Sequence, residues 1–210
     1  MNTLFDFIQS NFSQKEPILV SELESSGYSA NNIRQQLMIL TSSGKLNRYD
    51  TGVYYLPEES IFKSASSISQ GSVIEKKYFY ENKKRCGYFS GLSFANKIGA
   101  TSQVPNVYEV TTNKATNDYR TSTLASSKII IRKPKTTVTE ENFKVLQLMD
   151  FIKDFELYSD LSVLDAKNCI QNYMKKSEIS FLDIERYLNF YPDSIYKNMY
   201  KVGILNGSSS

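Results

Sequence analysis

Residues 21–56, SELESSGYSANNIRQQLMILTSSGKLNRYDTGVYYL, decide the fold. Ile33, Leu37 and Leu40 recur at the three- and four-residue spacing of a helix with one buried face. Ser29 stands ahead of that helix as an N-cap and Gly44 behind it as a terminator. Upstream, Ser21 with Glu24 three residues on forms a capping box that opens a shorter helix, which Gly27 breaks. Downstream, KLNRYDTGVYYL reads as a hairpin. Leu46 and Tyr49 lie on one limb, Asp50-Thr51-Gly52 make the turn, and Val53 to Leu56 return. Before all of these, Leu4, Phe5, Ile8 and Phe12 share one face of a first helix. Three helices and a hairpin in 1–56 read as a winged helix-turn-helix, giving a first domain of 1–60.

The third helix and the hairpin carry the chemistry. A helix that enters a major groove presents amides and guanidinium groups outward. Ser29, Asn31, Asn32, Arg34, Gln35 and Gln36 occupy the cap and first two turns here, and Arg48, Tyr49 and Thr51 lie on the wing. Asn and Gln pair bidentately with adenine and Arg with guanine. The electrostatics of this segment oppose that use. Residues 1–60 hold four basic and seven acidic side chains, a poor balance for attracting phosphate. The chain's net +3 conceals a basic middle: residues 61–135 hold thirteen Lys or Arg and four acids, whereas 136–210 hold eight basic and eleven acidic residues. Lys76, Lys77, Lys83, Lys84 and Arg85 are the densest part of that middle and join the candidate DNA-binding set. Arg132, Lys133 and Lys135 form a further basic run.

Composition excludes several classes. The chain has no histidine, which removes catalytic triads that need an imidazole base. Walker-type and dinucleotide-binding glycine loops are missing from the sequence. The two cysteines, Cys86 and Cys169, form no closely spaced pair, so neither a metal site nor a cofactor is expected, and buried thiols are. No apolar run reaches the ~20 residues of a bilayer-spanning helix. The first residues lack a basic leader, so a cytoplasmic, non-membrane protein is expected. A metal-dependent nuclease would have to use Glu109 and Asp118, acids expected on the surface near a strand end.

The second half reads as a mixed α/β domain ending in several helices. The fold class is thus α+β. A connecting segment is expected over 61–85, with a helix near 73–84, followed by a second domain over 86–205 and a frayed tail at 206–210. Phe94, Ala95 and Ile98 mark a helix ended by Gly99. VYEVTT and residues 127–132 mark strands. Helices are expected from 139 onward and near 162–175, 180–190 and 193–202.

The winged-helix pattern ending GVYYLP, followed by GYFSGLSFANKIGATSQVPNVYEVTTNK, resembles the AbiEi-type antitoxins of abortive-infection (type IV) toxin–antitoxin systems. The resemblance is carried by Gly87, Ser90, Gly91, Ala95, Gly99, Thr101, Gln103, Val104, Pro105, Val110, Thr111 and Asn113. Most of these small residues also suit turn and helix-end geometry. The resemblance implies a phage-defence antitoxin that binds inverted repeats of double-stranded DNA in its own promoter and represses transcription. It also implies that the protein counteracts a nucleotidyltransferase-like toxin without forming a stable complex with it. The winged helix would bind DNA and the C-terminal domain would supply antitoxicity, with no enzyme activity. The protein would be a monomer in solution that pairs on its operator. A winged helix used only as a protein-interaction adaptor is the alternative reading.

Overall fold

The computed structural model describes residues 3–58 and 67–205. It is an α+β structure that divides into two compact units, Met1–Lys77 and Tyr78–Ser210. The end of the expected first domain (59–60), the start of the expected connecting segment (61–66) and the expected tail at 206–210 lie outside the described residues.

The first unit opens with helix α1, Leu4–Asn11, capped reciprocally by Thr3 and Asp6. Strand β1, Ile18–Leu19, leads into a 3-10 helix over Val20–Ser26 and then into helix α2, Ala30–Ser42. Strands β2, Asn47–Asp50, and β3, Val53–Tyr55, form the hairpin. The sheet order is β1-β3-β2, with Ile18 opposite Tyr54. A two-residue strand such as β1 carries no periodic signal of its own, and the sequence pattern did not reveal it.

The short second helix departs from expectation in both type and cap. Its entry bond runs from the Leu19 N–H to Glu22 Oε2 at 3.0 Å, so the box at Ser21 and Glu24 is not the one used. The Ser25 and Ser26 hydroxyls donate to carbonyls three residues back, Glu22 and Leu23. Those bonds suit the tighter three-residue winding. Leu4, Ile8, Ile18, Leu23, Ile33, Leu37, Leu40, Leu46 and Leu56 form the buried core.

Helix α3, Gln70–Tyr78, ends earlier than its sequence pattern suggests. Strands β4, Tyr80–Glu81, and β5, Lys84–Arg85, replace the rest of the expected helix. Their two-residue turn holds Asn82 and Lys83 at positive φ, the conformation of a tight hairpin loop. Residues 78–85 belong to the second unit and are not a connection. Tyr78 and Phe79 are buried, Thr112 Oγ1 donates to the Tyr78 carbonyl, and Cys86 N donates to that of Phe79.

The second unit then builds β6, Gly87–Phe89; α4, Gly91–Lys97; β7, Tyr108–Thr112; β8, Tyr119–Leu124; and β9, Ser127–Arg132. The sheet order is β6-β7-β9-β8. Strands β7 and β9 run parallel, and the other pairs are antiparallel. Helices α5, Phe143–Lys153; α6, Phe155–Tyr158; α7, Val163–Ser177; α8, Phe181–Glu185; and α9, Ser194–Lys201 follow. Phe94, Leu146, Met149, Phe151, Ile170 and Ile195 are among the residues of their shared core.

A half-buried carboxyl group ties this core to the sheet. Asp150 accepts from Tyr88 OH at 2.9 Å and from Tyr191 OH at 3.0 Å. Burial pushes the Asp150 pKa up, against the opposing pull of Lys153 and the two hydroxyl bonds. A raised folded-state pKa favours the neutral acid, so its contribution to stability is complete below the unfolded pKa and is lost as pH rises through the folded one. Asp150→Asn cannot titrate. Its stability relative to the parent protein should therefore improve as pH rises above about 4, where the unfolded carboxyl ionises, and level off once the folded carboxyl is ionised too, as read by urea unfolding across a pH series.

The β8–β9 turn places Ala125 and Ser126 at φ 45° and 68°. Side chains with a Cβ are disfavoured there by about 1 kcal/mol each. Replacing Ala125-Ser126 by Asn-Gly should raise the unfolding free energy by about 1 kcal/mol, visible as a higher urea midpoint at unchanged m-value.

Candidate nucleic-acid interface

Burial fixes how α2 is rotated. Ile33, Leu37 and Leu40 point into the core. At about 100° per residue, the line directly opposite them runs through Asn31, Gln35, Met38 and Ser42. Arg34 and Ile39 flank that line, and all six are exposed. Ser29 caps the helix by accepting the Asn32 N–H at 3.4 Å. Asn32 Oδ1 accepts from Gln36 Nε2 one turn on, so these two amides bind each other. Asn31, Arg34 and Gln35 have no such side-chain partner among the described residues.

The hairpin residues are less open than the sequence implies. Arg48 Nη2 donates to Thr51 Oγ1 at 3.2 Å, and Arg48 Nε to the Asp50 carbonyl at 3.4 Å. The guanidinium is thereby folded onto its own turn. Tyr49 is half-buried at a register shift between Arg48 and Asp50. Gly52 takes φ 75°, which completes the turn.

The basic residues proposed from the middle of the chain are not equivalent. Lys76 bridges Glu16 and Glu22, both at 2.9 Å, with its side chain only 24% exposed. Burial works against its charge, but the bonds to Glu16 and Glu22 outweigh it and the pKa is raised. Its role is to hold α3 to the first unit. Arg85 donates to Tyr80 OH and lies 3.8 Å from the centroid of the Phe143 ring, so it is a packing residue. Lys77 is half-buried. Lys83 and Lys84 are exposed on the β4–β5 hairpin of the second unit.

A charge pattern within the first unit is a stronger signal than the lysine runs. The unit holds seven basic and eight acidic residues. Yet from Ser25 to Tyr49 there is no carboxylate, and Arg34, Lys45 and Arg48 are present. Counting charge over the whole segment 1–60 hides this, because its acids are confined to the flanking residues. Two clefts of the unit contain no α2 residue; one is lined in part by Phe5, Phe12 and Lys45.

The acids considered for metal chemistry are arranged differently from expectation. Glu109 is 7% exposed, not a surface residue. Its Oε2 accepts from Arg132 Nη2 at 3.1 Å and Nε at 3.3 Å, and from Tyr158 OH at 3.4 Å. Burial, and then the Glu109 charge, push the Tyr158 hydroxyl up to about 12, so it remains a donor. The Leu92 N–H reaches Oε1 across Gly91, where any Cβ would overlap the carboxylate. Asp118 is exposed and lies outside this cluster. Among the described residues, no group of three or more His, Cys, Asp or Glu side chains is placed to hold a metal ion. Cys86 is buried and Cys169 half-buried, both as thiols. No described helix is long and apolar enough to cross a membrane.

No protein-family model and no curated protein matches this chain.

Lys76→Ala should lower stability by about 1 kcal/mol at low salt and by less at high salt, because the pair is only partly screened from solvent. The same change should leave the salt dependence of duplex binding unaltered. A measurable drop in that slope would return Lys76 to the interface.

Proposed function

We propose that the first unit is a winged helix-turn-helix that binds double-stranded DNA, with α2 as the reading helix and β2–β3 as the wing. The observation that carries this reading is the solvent-facing side of α2. It presents Asn31, Arg34 and Gln35 in a stretch of 25 residues with no carboxylate. The wing adds Arg48, whose five donors exceed the two it uses within its own turn.

In this reading the protein is a cytoplasmic autorepressor and type IV antitoxin. It occupies inverted repeats in its own promoter and so blocks transcription, one copy per half-site. Its second unit opposes a nucleotidyltransferase-like toxin. The support for the antitoxin assignment is the motif resemblance over Gly87–Asn113. The second reading, a protein-docking adaptor, is favoured by one observation: Met38 and Ile39 are 66% and 62% exposed on the same helix.

Titration of the intact protein on its own upstream DNA, beside a scrambled duplex at one salt concentration, separates the two. Arg34→Ala and Gln35→Ala should each weaken specific binding by about 1–3 kcal/mol. An adaptor would bind both duplexes alike, keep its function in these variants and retain a stable protein partner.

A further inference from the structure

We propose that the outward face of α2 reads A·T base pairs, with Met38 and Ile39 contacting thymine 5-methyl groups and Asn31 and Gln35 pairing with adenine. The inference rests on the duplex-binding reading above and specifies its target.

Met38 lies on the centre line of the exposed face, one turn beyond Gln35 and two beyond Asn31. Ile39 stands beside it. These are the two large apolar side chains that α2 leaves in solvent, at 66% and 62% exposure. The buried side of the helix is already completed by Ile33, Leu37 and Leu40, so the core has no use for them. Scattered exposed hydrophobics are ordinary. Met38 in line with two uncommitted amides and Ile39 flanking them, on a face with a guanidinium and no carboxylate, make a chemically matched set. In the major groove an A·T pair offers the N7 acceptor and N6 donor of adenine and, across the pair, the thymine methyl. An amide satisfies the first two and an apolar side chain the third. A G·C pair offers no methyl, and on this face only Arg34 suits guanine.

The absence of acids between Ser25 and Tyr49 supports nucleic acid over protein as the occupant. A protein-docking apolar pair needs no such clearing of negative charge, whereas a phosphate backbone does.

The test is duplex selection from a randomised pool by the full-length chain, followed by replacement of thymine with uracil in the selected site. Uracil keeps the pairing and removes only the 5-methyl group. Selected sites should be A·T-rich where α2 binds. Uracil substitution should weaken binding about three- to fourfold for each methyl contacted. Met38→Ala/Ile39→Ala changes exposed positions, so it should match the parent's unfolding midpoint. This double variant should bind thymine and uracil duplexes within about 1.5-fold of each other, having lost the apolar partner. G·C-rich sites, or equal binding of thymine and uracil duplexes by the parent protein, would overturn the methyl reading and leave duplex binding intact. Enrichment of no duplex would overturn both readings.

Discussion

The burial of Ile33, Leu37 and Leu40 against Leu4, Ile8 and Leu23 is the constraint on which the first unit depends. Each such side chain contributes roughly 1.5–3 kcal/mol when taken out of water. Their common direction sets the rotation of α2 about its axis. A slip by one residue would turn the helix by about 100° and carry the amide face toward the core. The core and the candidate interface are therefore two sides of one arrangement, and neither can be changed alone. The Ser29 cap and the left-handed Gly44 hold the two ends of the helix.

A different principle organises the second unit. Two inward-facing carboxyl groups, Glu109 buried and Asp150 half-buried, are each satisfied by a distinct set of donors. Glu109 has a guanidinium, a phenol and a backbone N–H. Asp150 has two tyrosine hydroxyls and, more distantly, Thr111. An inward-facing carboxyl group left without partners is costly, so these donors support the fold. Gly91 belongs to the same account. Its φ of 54° and its missing Cβ let the chain pass against the Glu109 carboxylate at the start of α4. The small residues that carry the motif resemblance thus include one with a concrete steric reason.

Much of the local structure was legible. Periodic apolar spacing marked α1, α2, α4, β7, β9 and the C-terminal helices, since burying one face imposes a repeat that survives in the residue order. The missed elements were β1, β6 and α6, with two, three and four residues, too short to show a repeat, and β8, a six-residue edge strand whose side chains are mostly exposed and so carry no apolar alternation. The β4–β5 hairpin was masked because its turn uses Asn82-Lys83 without a glycine, and lysine runs read equally well as helix. The amide side of α2 was legible for the same reason as its buried side. The apolar pair at Met38 and Ile39 was not singled out, because an apolar residue in a sequence reads as core until its direction is known.

By itself, the sequence determined the succession of three helices and a hairpin in the first unit, the capped and terminated span of α2, the face that α2 buries, and the exclusion of imidazole chemistry. Those properties depend on neighbours within a few residues, where helical geometry and composition are decisive. Tertiary structure alone decided that β9 is inserted between β7 and β8, that Glu109 meets Arg132 and Tyr158, and that Lys76 is committed to Glu16 and Glu22. Each of these is a meeting of residues distant along the chain. Charge and hydropathy name the groups able to make such a contact, but only the packed chain selects the partner, because many pairings satisfy the same local pattern and one satisfies the whole core.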